Sequence, residues 1–327
     1  MALRPVCLEP LFVPRIWGSR NLAPLFPKNK SLADPIGEVW LTGNECRFAD
    51  GPFAGKRLGD VWPQMSEEWT GKRALRESSF PVLVKFLFPE DKLSVQVHPD
   101  DDYAKRHEAA AGGTGKTEMW YVVSARAGAE VRVGFKPEVT QEAFRRAIAD
   151  GTAEELIERI PVGGGDAIFV PAGTVHTIGP GMVLCEVQQN SDLTYRVYDF
   201  NRRDAMGKSR ELHIEKALEV IRFGQSAGGK LPSARDERNS GEAALLVECP
   251  YFAVVKETFS DRYSVKPQRL EIVVIIEGSG VFRFEQHAER VAYNRAQVWI
   301  IPAAARDCIF EPKEQTTLLT VTIPEKT

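Results

Sequence analysis

Short runs of apolar or alternating residues dominate the chain from about residue 80 onward. Runs of this length predict β-strands rather than helices. The first six are separated by Gly, Pro or Asp turns: VLVKFLF (82–88), LSVQVHP (93–99), EMWYVVSA (118–125), AEVRVGF (129–135), DAIFVPA (166–172) and MVLCEVQQ (182–189). Because most of them follow one another without a helix between, the pattern predicts an antiparallel sandwich or barrel.

Helical patterns interrupt the strands at a few places. One helix is predicted near 63–77, in a segment rich in Pro, Gly and Trp. The stretch 140–160 starts at a Thr with helix formers behind it, and Gly151 should divide it into two short helices. A further helix is predicted over roughly 209–223.

The residues after this last helix suggest a division of the chain. Residues 226–244 are polar and rich in Gly and Ser, so they bury little and predict a linker or mobile loop. Short strand patterns then return over 245–327. We therefore predict a mainly β protein with an N-terminal domain (1–225) that carries a helical insertion at about 139–160, and a C-terminal domain (245–327).

Four potential metal ligands lie at strand positions that a small barrel can bring together. Gln96 and His98 are two residues apart on one strand, so both side chains project from the same face. Glu118 opens the next apolar run, and His176 follows a Pro-Ala-Gly turn. This set suits Zn(II), with Mn, Co, Fe and Ni as competitors. Each residue also has an ordinary interpretation, such as an ion pair of Glu118 with Lys116, and the residue types alone leave both interpretations open.

The two strand-rich regions look like diverged copies of one unit. Residues 165–176 (GDAIFVPAGTVH) align without gaps with 296–307 (AQVWIIPAAARD), and EMWYVV (118–123) resembles EIVVII (271–276) in the same relative order. The alignment places Asp307 over His176, and the second copy has no counterpart of the QVH tripeptide. The second unit is therefore predicted to keep the scaffold and to lack the metal site.

Composition narrows the possible functions. The 327 residues are enough for about two domains. With 42 basic and 45 acidic residues and no basic block, nothing indicates a nucleic-acid partner, although an anionic small molecule fits. Five scattered cysteines without a CxxC pair predict reduced thiols in a cytoplasmic protein. The longest apolar runs are of strand length, so no membrane span is expected.

Several spaced motifs closely resemble those of the type I mannose-6-phosphate isomerases, in particular the short bacterial branch. They are LSVQVHPDDDYAKRH, GKTEMWYVV, GDAIFVPAGTVHTIG and EVQQNSDLTYRVYDFNR. The resemblance runs from about 14–19 through 198–202 and continues more weakly to the last residues. It implies two cupin-type antiparallel β-barrels (jelly rolls) with a small helical insertion and a connecting helix. It also implies one zinc ion per chain, bound by Gln96, His98, Glu118 and His176.

The resemblance further implies a reaction and residues that carry it out. Members of this family interconvert mannose 6-phosphate and fructose 6-phosphate through a cis-enediol(ate), with the metal ion required. By motif match the catalytic residues are Arg196, which we expect to stabilise the oxyanion, and Lys116. Arg202 falls on a basic position that is a lysine in longer relatives. We expect Lys116 and Arg202 to contact the phosphate or the hydroxyl groups.

Other assignments have competing interpretations. The catalytic base could be a water on the metal, a deprotonated Lys116, or Glu38. Glu38 and Trp17, with Arg202, are the predicted substrate-binding residues, although core packing explains Trp17 equally well. Without the family match, an ion pair of Arg196 with Asp192 or Asp199 would be the preferred interpretation.

Two other classes of function fit parts of the sequence. One is a metal cupin oxygenase, which the glutamine ligand and the GKTEMW and YRVYDF motifs argue against. The other is a non-catalytic protein that binds sugar phosphates, which the retention of all four ligands and Arg196 argues against. The expected partner is a small sugar phosphate rather than a nucleic acid or a membrane, and the expected assembly is a monomer or homodimer.

Overall fold

The fold is mainly β, as predicted. The computed structural model describes residues 3–71, 79–203, 206–224, 228–232, 242–284, 287–305 and 308–324. The strands in these ranges are β1 (Val6–Leu8), β2 (Leu11–Ser19), β3 (Ile36–Trp40), β4 (Val82–Leu87), β5 (Val95–Val97), β6 (Glu118–Ala125), β7 (Glu130–Phe135), β8 (Ile157–Pro161), β9 (Ala167–Val170), β10 (His176–Ile178), β11 (Met182–Gln189), β12 (Tyr195–Tyr198), β13 (Gly229–Lys230), β14 (Glu242–Glu248), β15 (Ala253–Phe259), β16 (Tyr263–Val265), β17 (Glu271–Glu277), β18 (Ser279–Phe284), β19 (His287–Asn294), β20 (Val298–Ile301), β21 (Cys308–Pro312) and β22 (Thr316–Thr322).

Helices are few and short. They are α1 (Leu58–Val61), α2 (Glu67–Thr70), α3 (Asp101–His107), α4 (Gln141–Asp150) and α5 (Ile214–Val220), beside several 3-10 turns. No helix in the described ranges is long and apolar enough to cross a membrane. The helix predicted near 63–77 falls partly outside these ranges.

The strands form two pairs of antiparallel sheets. The first pair is a seven-stranded sheet, ordered β13-β9-β6-β11-β4-β3-β2, and a five-stranded sheet, ordered β12-β5-β10-β7-β8. The second pair is a six-stranded sheet, ordered β1-β20-β17-β22-β15-β14, and a four-stranded sheet, ordered β16-β21-β18-β19. Pairing of Val6 with Ile300 adds the N-terminal strand to the second pair, which the sequence pattern did not predict.

Burial on both faces explains why the strands read as apolar runs. On β6, Trp120 and Val122 pack into the core between the seven- and five-stranded sheets. Met119 and Tyr121 point the other way, into a core shared with the six-stranded sheet. A strand covered on both sides gains from apolar residues at every position. A charged residue inside such a run therefore needs a partner or a function.

The helical insertion follows the predicted pattern only in part. The Thr140 hydroxyl accepts a hydrogen bond from Ala143 N and caps α4, and Gly151 ends the helix with a left-handed φ of 75°. A 3-10 turn, Ala153–Leu156, follows, but the chain then becomes β8 instead of continuing as a helix. Residues 157–161 form a strand because they pair with β7 and become the edge of the five-stranded sheet.

The connecting helix is also shorter than predicted over 209–223. It begins only at Ile214, and the residues before it run beside β12. His213 N donates a hydrogen bond of 2.7 Å to Arg196 O, which fixes this segment against the strand. The segment consequently lies against the edge strand of the five-stranded sheet.

The pairing register repeats between the two pairs of sheets. Glu118 of β6 lies opposite Val170 of β9, and Glu271 of β17 lies opposite Ile301 of β20. The gapless alignment of 165–176 with 296–307 places Ile301 over Val170, so the register agrees without an offset. Glu271 is therefore the counterpart of Glu118. Asp307 lies outside the described residues.

Glu271 lies near a second acidic residue, Glu257, and belongs to no group of three or more metal-ligand side chains among the described residues. Its Oε2 atom is buried and has no hydrogen-bond partner within the described residues. Nearby Glu257 accepts hydrogen bonds from the hydroxyls of Tyr263 and Thr320. Burial, followed by repulsion from Glu257, raises the pKa of Glu271 from 4.5 to about 7.

We expect this group to make stability depend on pH. A carboxyl whose pKa is higher in the folded state stabilises the fold below its unfolded pKa, and the contribution is lost as pH rises from about 4.5 through about 7. Glu271→Gln removes the charge, so the variant should gain stability over wild type as pH rises. The free energy of unfolding of the variant minus that of wild type should increase by on the order of 2–3 kcal/mol between pH 4.5 and 8.5. Urea unfolding of both proteins at the two pH values measures this; an equal difference at both would contradict it.

Candidate active site

Three buried side chains converge between the first pair of sheets. The ligand atoms of His98, Glu118 and His176 all lie within 4.8 Å of one another. Glu118 Oε1 is 3.3 Å from His176 Nε2, and Glu118 Oε2 is 3.6 Å from His98 Nε2. Gln96 lies directly opposite His176 in the sheet, with its Nε2 atom 3.2 Å from His176 Nε2. Because amide oxygen and nitrogen are assigned from hydrogen bonding, rotating this amide brings its oxygen to the same point.

Both histidines are held as neutral imidazoles. The Nδ1 atoms lie 2.7 Å from Leu193 O for His98 and 2.9 Å from Thr174 O for His176. An Nδ1–H that donates to a carbonyl leaves the Nε2 lone pair facing Glu118, the usual arrangement of a histidine ligand. Burial lowers the pKa of His176 to about 4. Burial, with Lys116 next, holds the pKa of His98 well below its usual value.

The surroundings of the Glu118 carboxylate indicate whether a metal ion fits this cluster. The residue is 1% exposed, and neither oxygen accepts a hydrogen bond of acceptable geometry from a described residue. Lys116 Nζ forms an ion pair with Oε2 at 2.8 Å, which offsets only part of the cost of burial. A carboxylate facing two neutral imidazoles and an amide is a donor set for a divalent metal ion. The residues therefore fit such an ion.

A row of alternating charges crosses the seven-stranded sheet beside this cluster. Lys85 Nζ lies 2.8 Å from Glu186 Oε2 and 3.9 Å from Glu38 Oε2. Arg15 closes the row with an ion pair to Glu38 at 3.1 Å. The sequence pattern missed Lys85 and Glu186, although each is a charged residue inside a buried apolar run, VLVKFL and MVLCEV. That signal was available, because such residues are rarely buried without a partner.

The pKa values of the two carboxyls of this row are shifted in opposite directions. Burial raises the pKa of Glu186, and this outweighs the ion pair with Lys85. Burial also raises the pKa of Glu38, but Lys85 and Arg15 lower it by more, and the net direction is down. Both Glu38 oxygens accept hydrogen bonds from Arg15, and Trp40 Nε1 donates to one of them at 2.7 Å. Glu186 is held in a similar way, since Lys85 pairs with its Oε2 atom and Trp120 Nε1 donates to its Oε1 atom at 3.2 Å.

Arg196 lies on β12, directly opposite Gln96 of the neighbouring strand β5. Its Nε atom donates to Ser94 Oγ at 3.2 Å, and its Nη1 atom donates to the Glu211 carbonyl at 3.2 Å. In the described part of the chain it forms no ion pair with any carboxylate, so neither pairing considered from the sequence, with Asp192 or with Asp199, is present. Burial lowers the pKa of Arg196, and nearby Arg210 lowers it further. A partly buried cation in this position favours an anionic ligand.

A cleft of about 420 Å³ joins these features. Five predicted residues line it: Trp17, Glu38, Gln96, Lys116 and Arg196. The buried cluster adjoins its inner end, since Lys116 Nζ lies 3.2 Å from His98 Nε2. A larger cavity of about 780 Å³ elsewhere, lined by Ile16, Arg20 and Arg126 among others, contains none of the predicted ligands.

Arg202 is not among the residues that line the cleft. Its guanidinium pairs with Asp199 and, at 3.2 Å, with Asp91, donates to Lys92 O, and lies 5.4 Å from the centre of the Phe200 ring. Arg210 lines the cleft instead. The sequence motif indicated Arg202 and not Arg210, because which of the two arginines reaches the cleft depends on how the chain folds back after β12.

Comparison with known proteins agrees with this arrangement. The model of the family "Phosphomannose isomerase type I, catalytic domain" matches residues 7–121. The mannose-6-phosphate isomerase ManA of Bacillus subtilis is 37% identical over 288 residues, 86% of this chain and 88% of that protein. The mannose-6-phosphate isomerase of Streptococcus mutans is 36% identical over 315 residues, 93% of this chain and 95% of that protein.

Solved structures extend the similarity to the fold. The crystal structure of the mannose 6-phosphate isomerase from Bacillus subtilis superposes with a TM-score of 0.88 at 31% identity, covering 98% of this chain and 100% of that one. The apo form from Salmonella typhimurium, at 16% identity and a TM-score of 0.74, covers 99% of this chain and 100% of that one and shows the shared fold. The chain belongs to the type I mannose-6-phosphate isomerase family.

Proposed function

We propose that this chain interconverts mannose 6-phosphate and fructose 6-phosphate, with one zinc ion per chain held by Gln96, His98, Glu118 and His176. The observation that carries the proposal is the single cleft that places this donor set one strand away from Arg196, a cation without a carboxylate partner in the described residues. An isomerase of this type needs a group to stabilise a developing oxyanion, a proton-transfer group and a site for the phosphate. All three requirements have candidates in this cleft.

The groups at the cluster have different roles in the cis-enediol(ate) pathway. A zinc ion held by the four ligands would supply Lewis-acid stabilisation of the negative charge that develops on the substrate. Arg196 donates hydrogen bonds to the same developing negative charge, and the guanidinium needs no reorganisation because Ser94 and the Glu211 carbonyl hold it. Lys116, which pairs with Glu118, orients the substrate hydroxyl groups from the other side.

We assign proton transfer between C1 and C2 to Glu186. A deprotonated Lys116 would forfeit its ion pair with Glu118. Glu186 lines the cleft next to the cluster, with its Oε1 atom 4.0 Å from Lys116 Nζ, whereas Glu38 lies on the far side of Lys85 in the row of charges. Lys85, 2.8 Å from Glu186, fixes the position of that carboxylate. Trp17 supports this wall as a buried side chain that also lines the cleft.

The proposal extends to the organisation and setting of the protein. We place the metal site in an N-terminal domain, 1–225, and none in a C-terminal domain, 245–327, with 226–244 as the connection. The counterpart position Glu271 supports this, because it belongs to no group of three or more metal-ligand side chains among the described residues. All five cysteines are free, which suits the cytoplasm. The ligand is a sugar phosphate, and the assembly is a monomer or homodimer.

Assay of metal-loaded and chelated protein tests this function. We expect fructose 6-phosphate to form from mannose 6-phosphate, with at least about a hundredfold lower rate after chelation and recovery on adding Zn²⁺. Glucose 6-phosphate run in parallel measures discrimination at C2, and an oxygen electrode tests for oxygenase activity. Equal rates before and after chelation, or oxygen consumption without isomerisation, would contradict the proposal.

A further inference from the structure

A buried aspartate fixes a second guanidinium at the cleft. Asp199, 7% exposed at its side chain, immediately follows β12. Its Oδ2 atom accepts a hydrogen bond of 2.8 Å from Arg210 Nε, and its Oδ1 atom accepts one from Arg210 Nη2. This side-on bidentate pairing holds the guanidinium in one plane. It leaves Nη1 of Arg210 without a hydrogen-bond partner among the described residues, in a side chain that lines the cleft.

The chain around Arg210 is tied to the strand that carries Arg196. His213 N donates to Arg196 O at 2.7 Å, Arg196 N lies 3.4 Å from His213 Nδ1, and Arg196 Nη1 donates to Glu211 O. Three contacts within four residues of Arg210 therefore set its position relative to Arg196. Arg196 and Arg210 both line the cleft and are close enough to interact electrostatically. Among the described residues Arg210 pairs with Asp199, Arg15 of the same cleft pairs with Glu38, and Arg196 has no carboxylate partner.

The order of the strands places these groups along the cleft. His176 on β10, Gln96 on β5 and Arg196 on β12 lie opposite one another across three neighbouring strands. Because β12 is the edge strand and pairs with β5 on one side, the segment of Arg210, which bonds to Arg196 through His213 and Glu211, lies along its other side, away from the metal ligands. A ligand that places its C1 and C2 oxygens at the cluster would extend past Arg196 toward Arg210.

We propose that Arg210, positioned by Asp199, binds the phosphate group of the substrate and that Arg202 does not contact it. This inference rests on the proposed function, since it assigns the phosphate end of that substrate. Two adjacent guanidinium groups repel each other in an empty cleft, and a phosphate dianion removes this cost while accepting their hydrogen bonds. Arg202 cannot serve in the same way while Asp199, Asp91 and the Lys92 carbonyl hold it.

Kinetics of matched arginine variants of the metal-loaded protein test the assignment. We expect Arg210→Met to raise KM for mannose 6-phosphate, and the inhibition constant of inorganic phosphate, by about ten- to a hundredfold. The change in kcat should stay below about threefold, because the contact is equal in ground and transition states. Arg203→Met, on an exposed neighbour, is the control and should change none of these constants.

A double-mutant cycle separates positioning from general stability. Asp199→Asn should raise KM less than Arg210→Met, and the double variant should be no worse than Arg210→Met alone, because both act on one contact. Arg210→Lys should restore part of the affinity. Arg202→Met should leave the phosphate inhibition constant within about threefold of wild type, since Arg210 keeps its hydrogen bonds to Asp199.

Each result separates this inference from the function on which it rests. Normal turnover by wild type with unchanged KM and phosphate inhibition in Arg210→Met would overturn the assignment and leave the isomerase intact. A tenfold or larger effect confined to Arg202→Met would overturn it in favour of Arg202. If wild type shows no turnover, calorimetry with inorganic phosphate decides: equal binding by wild type and Arg210→Lys would overturn the assignment, and weaker binding by the variant would support it. The conservative Arg210→Lys and Asp199→Asn variants keep the test valid if Arg210→Met fails to fold.

Discussion

Glu118→Gln should remove the bound metal and lower turnover by more than about a hundredfold, whereas Glu271→Gln should leave metal content and turnover unchanged. Substituting a residue that merely supports a metal ligand typically costs about 10–100-fold in affinity or activity, so loss of a ligand should exceed that range. The charge of Glu118 matters as much as its oxygen. Two neutral imidazoles and an amide would offer no negative charge to a divalent ion, and Lys116 would then oppose it.

The two glutamates form a matched pair because they occupy the same register position in the two pairs of sheets. The same chemical change is therefore made in the same kind of strand, once inside the His98–Glu118–His176 cluster and once at a position that belongs to no such cluster among the described residues. Elemental analysis of both purified variants measures the metal, and the isomerase assay measures turnover. Equal metal content in the two variants, or metal loss in Glu271→Gln alone, would show that the metal does not bind at the His98–Glu118–His176 cluster.

Much of the metal cluster was predictable because it depends on regular local geometry. Alternation along a strand puts Gln96 and His98 on one face, whatever the remaining fold. The convergence of His98, Glu118 and His176 then required only that their strands face one cavity. The relation between Glu118 and Glu271 was predictable for the same reason, because a repeat with conserved register preserves position along a strand.

The outer part of the cleft was harder to predict because it depends on loops. Arg202 and Arg210 lie in one irregular segment, and which of them reaches the cleft depends on the hydrogen bond of His213 to Arg196 and on the shared partner Asp199. No periodic pattern in the sequence encodes that choice. Pairing of β1 with β20 is similar, since nearly 300 residues separate the partners and a three-residue strand carries little signal.

The roles of Lys85 and Glu186 could be predicted only in part from the sequence. Each stands out in an apolar strand, but nothing in the local sequence says which partner it meets. Pairing of β11 with β4 places them opposite each other and makes them a buried ion pair. The pairing of Glu186, the residue proposed for proton transfer, therefore depends on sheet order, while the surrounding ligand types could be read from the motifs.

Arg196→Met should lower kcat by about a hundred- to a thousandfold while the metal content stays at the wild-type level. A preorganised donor to a developing oxyanion contributes about 2.7–4 kcal/mol to lowering the barrier, which corresponds to that range of rates. Arg196 is fixed by Ser94 and the Glu211 carbonyl before substrate arrives, so its hydrogen bonds require no reorganisation during the reaction. The residue is not a metal ligand, and its loss should leave the cluster intact.

Comparison with two further variants makes this result specific. Arg196→Lys keeps the charge but cannot donate two parallel hydrogen bonds, so it should recover less than a tenth of wild-type kcat. Arg126→Met removes an exposed arginine that pairs with Glu90 beside the larger cavity, and it should leave kcat unchanged. Steady-state kinetics with mannose 6-phosphate and elemental analysis measure both quantities. A kcat of Arg196→Met within threefold of wild type would show that the oxyanion is stabilised elsewhere, and a parallel loss of metal would show that Arg196 acts by supporting Gln96, its partner on β5.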